Sequence, residues 1–125
     1  VKAFLDTHAV AMMGRGERDV FGAKALDVID RCALYYAPIV TLELHFLHEI
    51  GRITEDVGVL LRTLEASYGV VQSDESTAAV VEQAARLTWT RDPFDRLIVA
   101  TAVLHRAPLV TKDATITAQY REAVW

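Results

Sequence analysis

Asp92-Pro93-Phe94-Asp95-Arg96-Leu97-Ile98-Val99-Ala100-Thr101-Ala102-Val103-Leu104, and after it Pro108-Leu109-Val110-Thr111-Lys112-Asp113, is the stretch that decides the fold. Asp92 is suited to cap a helix and Pro93 to the first helical position, where its missing N–H is no loss. Asp95 then falls third, beside the positive end of the helix dipole. The apolar residues that follow predict a helix to about His105. Pro108–Val110 reads as a short buried strand running into Thr111-Lys112-Asp113. A helix feeding a short, continuous apolar strand is the repeating unit of a parallel sheet.

The same alternation extends outward in both directions. Val1–Leu5 is a buried strand that ends at Asp6. Gly14–Arg18 is a turn, and Asp19–Arg31 carries Val20, Phe21, Ala25, Val28 and Ile29 at helical spacing. Leu34–Ala37 is a second strand closed by Pro38. Thr41–Ile50 reads as a helix, and Thr54 is positioned to cap another whose face is Val57, Leu60, Leu61 and Leu64, ended by Gly69. Val70–Gln72 is a third strand, and Ser73 or Asp74 opens a helix through about Leu87. A short helix over Thr115–Tyr120 and a strand at Ala123–Trp125 complete the chain. The expected architecture is α/β: one domain over residues 1–125, with a central, mostly parallel sheet of four to five short strands flanked by helices.

The 125 residues, 52% hydrophobic and 24% charged, suffice for a core without disulfides. Cys32 is the single cysteine and the histidines show no zinc spacing, so a reducing, cytoplasmic setting is expected. No apolar run reaches the length of a membrane span. The short apolar start runs straight into Asp6 and reads as a strand, not a targeting segment. The net charge of −4 opposes nucleic-acid binding in general, because phosphate contacts come from Lys and Arg. The objection falls if the excess charge is gathered in a site where divalent cations reverse the local sign.

Parallel sheets bind ligands beyond the carboxyl ends of their strands. Asp6 ends the first strand and Asp113 follows the fourth, so both belong to that edge. Glu43, in the first turns of the helix after the second strand, and Asp95 can reach it too. Converging carboxylates repel one another unless a cation lies among them. A ligand set made only of oxygen points to magnesium or manganese. Read singly, Asp6 is a polar strand end, Glu43 a solvated helix residue, Asp95 part of a cap with Asp92, and Asp113 a turn residue. The combination is what promotes them.

The order Phe4-Leu5-Asp6-Thr7-His8, an early Leu-Glu-Leu helix, Arg91-Asp92-Pro93-Phe94-Asp95-Arg96 and Val110-Thr111-Lys112-Asp113 resembles the PIN-domain family. It is most similar to the VapC toxins of type II toxin–antitoxin modules. The resemblance covers nearly the whole chain, through Ala123-Val124-Trp125. It implies a magnesium-dependent endoribonuclease (manganese substituting), an RNA substrate, a homodimer and a cognate antitoxin that masks the groove. Carried over by position, the metal ligands and catalytic residues are Asp6, Glu43, Asp95 and Asp113, with Thr7 and Thr111 as accessory hydroxyls. The stretch after His8, Ala-Val-Ala-Met-Met, reads as a loop and departs from relatives that commonly carry a tryptophan there. Arg91, Arg96 and Lys112 flank the expected ligands and could draw in an RNA backbone or pair with their acidic neighbours. His8 reads as a groove-wall residue. The competing functions are a non-catalytic PIN-fold binding module, a housekeeping nuclease without a toxin role, and an unrelated phosphotransfer domain with Asp6 as nucleophile. The filled acidic positions oppose the first, and the absence of a Gly-rich phosphate loop opposes the last.

Overall fold

The structure, a computed structural model, describes Val1–Trp125 throughout. Its strands are β1 (Lys2–Leu5), β2 (Ala33–Tyr36), β3 (Val71–Gln72), β4 (Leu109–Val110) and β5 (Ala123–Val124). They form one five-stranded sheet in the order β3-β2-β1-β4-β5. Every pairing is parallel: Phe4 is in register with Tyr35 and Leu109, Tyr36 with Gln72, and Val110 with Val124. The chain builds outward from β1 to β3, then returns to the other side of β1. The order therefore reverses between β1 and β4, which is where such a sheet opens a crevice at its carboxyl edge.

The helices are α1 (Thr7–Gly14), α2 (Ala23–Arg31), α3 (Pro38–Glu49), α4 (Val57–Tyr68), α5 (Thr77–Ala84), α6 (Pro93–Leu104) and α7 (Ala114–Gln119). α1 packs on α3 and α4, α3 on α6, and α6 on α5. Phe4 and Leu5 of β1, Leu109 of β4, Leu44 of α3, Leu64 of α4 and Ile116 of α7 are completely buried between these layers. No helix is long and apolar enough to cross a membrane.

Several boundaries differ from the sequence reading. Helix α1 occupies the segment read as a loop after His8. Ala9, Val10, Ala11 and Met13 are all buried, so it shows no polar face from which a helical period could be read. It stops at Gly14, where an added Cβ would lie 2.6 Å from Leu60 Cγ. The helix expected over Asp19–Arg31 is divided into a 3-10 turn, Arg18–Val20, and α2. Gly22 separates them because a Cβ there would meet the Trp125 main chain at 2.7 Å. α3 begins at Pro38, not Thr41, using the proline as its first residue. Asp56 rather than Thr54 caps α4, accepting from Val59 N at 2.9 Å. Ser76 caps α5, which ends at Ala84. Ser73 is instead buried beneath β3, its hydroxyl shared between Tyr36 O and Glu75.

Candidate active site

Four of the acidic side chains singled out in the sequence meet at the carboxyl edge of β1 and β4. Asp6, Glu43, Asp95 and Asp113 line one open cleft of about 460 Å³, with Asp92, Thr7, His8, Met12, Ile98 and Lys112 completing its wall. Local helix chemistry puts them there. Asp6 follows β1, its N–H bound to Val110 O at 3.1 Å, and caps α1 by accepting from Ala9 N at 2.9 Å. Asp113 caps α7, accepting from Ile116 N at 2.9 Å. Asp92 caps α6, accepting from Phe94 N at 2.8 Å and Asp95 N at 3.3 Å. In all three, one carboxylate oxygen, Oδ1, is committed to the helix end, which leaves the other available to the cleft. The positive ends of three helix dipoles converge beside this negative charge and offset part of its repulsion.

The threonines fix the geometry of their neighbours. Thr7, buried at the start of α1, donates its hydroxyl to Glu43 Oε1 in the second turn of α3. Thr111, fully buried after β4, accepts from Asp113 N at 3.1 Å, and its hydroxyl favours the charged form of the neighbouring Asp6 carboxylate. Each hydroxyl joins two elements of different sequence distance into one rigid wall.

The electrostatics are unresolved within the chain. Asp6 and Glu43 are both pushed above the ordinary carboxylate range, in each case chiefly by burial, against the lowering effect of the threonine hydroxyls. Asp95 is pushed up to about 7 by burial and then by the charges of Asp92, Asp113, Glu43 and Asp6. No arginine or lysine forms an ion pair with any of these carboxylates. The donor set is oxygen only and short of positive charge, and so fits a hard divalent cation. No three of its acidic or histidine side chains form a closed cage. A cation would therefore take one or two carboxylates and keep water, as small hard ions do.

The flanking basic residues separate. Lys112 lines the cleft. Arg96 instead donates from Nε to Leu87 O at 2.7 Å, and Arg91 from Nη1 to Thr88 O at 2.9 Å. Neither arginine lines the cleft or pairs with an acidic neighbour. Arg96 ties the first turn of α6 to the segment before it, and Arg91 closes a local turn within that segment. The sequence favours a capping role for Asp92 over a catalytic one; Asp92 caps α6 and also faces the cleft. Met12 was missed because α1 was missed.

The PIN domain family model matches residues 3–121, nearly the whole chain and all of the cleft. The chain belongs to the PIN domain family. VapBC2 from Rickettsia felis, bound to a DNA fragment from the promoter, is structurally similar to this PIN domain with a TM-score of 0.67 at 16% identity, over 99% of this chain and 96% of that one. A toxin–antitoxin complex from Klebsiella pneumoniae gives 0.63 at 19% identity, over 98% and 96%. At such identities the likeness establishes the PIN fold. No curated protein matches the sequence.

Proposed function

We propose that this PIN domain is a magnesium-dependent endoribonuclease, acting as the toxin of a type II toxin–antitoxin module. The observation that carries the reading is the cleft itself: five carboxylates without a cationic partner, one of them held near neutrality at about 7. Burying charge without partners is costly and has no structural return, so such a group marks a functional site. Magnesium or manganese, when bound, supplies Lewis acidity toward a phosphoryl oxygen and toward the attacking water. The residues of the chain provide the rest. Asp6, Glu43, Asp95 and Asp113 would share the cation, one or two of them directly and the others through its water, while Thr7 orients Glu43, Thr111 supports Asp6, and Met12 and Ile98 give the cleft an apolar wall.

The partner side of the proposal has two supports. Both structural relatives named above are toxin–antitoxin assemblies. Helix α3 also leaves Leu42, Phe46 and Ile50, four residues apart, exposed along one stripe, with Phe46 stacked on Phe94 at 6.0 Å. An apolar stripe of that kind suits a protein partner. An antitoxin that places an Arg or Lys near Asp6 and Asp95 would supply the missing positive charge in place of metal. A homodimer belongs to the same reading.

Cleavage of total RNA by purified protein tests the proposal. It is expected to proceed in magnesium or manganese, to stop in EDTA and to recover poorly in zinc. Undiminished cleavage in EDTA would overturn it.

A further inference from the structure

Lys112 stands between Thr111 and Asp113, in a cleft with five carboxylates, yet its ammonium pairs with none of them. It lies over the indole ring of Trp125, 5.8 Å from the ring centroid. That is within the range at which a cation is held by the negative face of an aromatic ring. Trp125 is itself fixed: its ring packs on Phe21 at 5.0 Å, and Gly22 admits its main chain where any Cβ would clash at 2.7 Å. Phe21 and Gly22 thus seat Trp125, and Lys112 lies over its ring without forming an ion pair to any of the acids beside it in the cleft. Apart from His8, Lys112 is the only basic side chain lining the cleft. A lysine meant to neutralise the carboxylates would sit among them, whereas one meant for a bound anion would be kept apart and free.

We infer that Trp125 positions Lys112 to grip a backbone phosphate of the bound RNA strand, beside the carboxylates that hold the metal. The inference rests on the nuclease reading above and deepens it by assigning a substrate contact. Lys112 supplies a charge that the metal does not replace, and Trp125 acts only through it.

The test measures binding of a fluorescein-labelled single-stranded RNA oligonucleotide of mixed sequence across a salt series. It uses the Asp95→Asn protein, so that the probe is not cut. Adding Lys112→Gln is expected to weaken binding severalfold and to lower the slope of log Kd against log salt by about 0.7, the value for one phosphate contact on a single strand. Lys112→Arg should restore the slope. Trp125→Phe, which keeps an aromatic face, should retain most of it, and Trp125→Leu should lose it in part. With Asp95 intact, Lys112→Gln should raise KM for RNA while kcat changes little. If Lys112 were a counter-charge to the acids, the salt slope would be unchanged and the melting temperature in EDTA would fall, which overturns the inference while leaving the nuclease reading in place. Failure of the otherwise unaltered protein to bind or cut RNA overturns the reading on which the inference rests.

Discussion

The molecule sets one covered glutamate and one cluster of acids on opposite terms. At the start of the α5 connection, Glu75 is almost entirely covered but fully partnered: it takes His105 Nε2 at 2.7 Å and the Ser73 hydroxyl at 2.9 Å. Phe4 packs on the His105 ring at 5.1 Å and seals the pair. In the cleft, five carboxylates, four of them from aspartate, are gathered with threonine hydroxyls and helix amides for company and no ion-paired cation. Buried charge that is satisfied within the chain holds elements together. Charge left without a partner inside the chain marks a candidate binding site.

The sharpest way to break that contrast is Asp95→Asn. Cleavage is expected to fall by more than about 100-fold, beyond what loss of a supporting partner around a metal costs. The metal-free protein should keep its melting temperature or gain, because one member of a mutually repelling set has gone. The pH dependence follows with its sign. Folded Asp95 holds its proton to about pH 7 while the unfolded residue, at its ordinary 3.8, has lost it. Between those values the folded state binds more protons, so stability in EDTA should rise as pH falls from about 7 toward 4. Asp6 and Glu43 shift the same way and add to it. Asp95→Asn should flatten that rise, and magnesium, competing with the proton, should bind less tightly below neutrality. Thermal melts in EDTA and in magnesium at several pH values measure all of this. A metal-free protein that loses stability steadily between pH 7 and pH 5 would show that the cleft acids are partnered after all.

Glu75→Ala probes the covered glutamate. It strips the partner from His105 and leaves the buried Ser73 hydroxyl only its longer bond to Tyr36 O, and should cost about 1–3 kcal/mol of stability. RNA cleavage should be unchanged at temperatures where the variant is folded. Chemical denaturation gives the first number and a cleavage assay the second; a stable but inactive Glu75→Ala would erase the division between that glutamate and the cluster.

The smallest effect separates cap from cleft within one residue. Asp92→Ala removes the α6 cap and should cost about 0.5–2 kcal/mol, whereas Asp92→Asn keeps a capping oxygen and should cost only a fraction of that. Because Asp92 also faces the cleft, both variants should reduce the magnesium-induced rise in melting temperature, and to a similar degree. If only Asp92→Ala reduces it, Asp92 acts through the helix end and not through its charge.

Much of this protein is determined by local sequence. Asp92-Pro93 starts α6 where its chemistry says it should, and the strands at β1 and β4 are short apolar runs ended by Asp6 and by Thr111. Those alternations fix a parallel sheet, and a parallel sheet fixes the edge at which Asp6, Glu43, Asp95 and Asp113 meet. Local sequence could not reveal α1, because a short helix that is apolar nearly all round carries little amphipathic period. Nor could it split Asp19–Arg31, since the break at Gly22 is imposed by Trp125, more than a hundred residues along the chain. The three basic neighbours of the cleft acids were equivalent as letters. Only packing sent Arg91 and Arg96 to main-chain carbonyls and Lys112 to the face of Trp125. Period and capping are short-range and can be read along the chain. Which charge finds a partner depends on groups brought together by the fold, and that was decided in three dimensions.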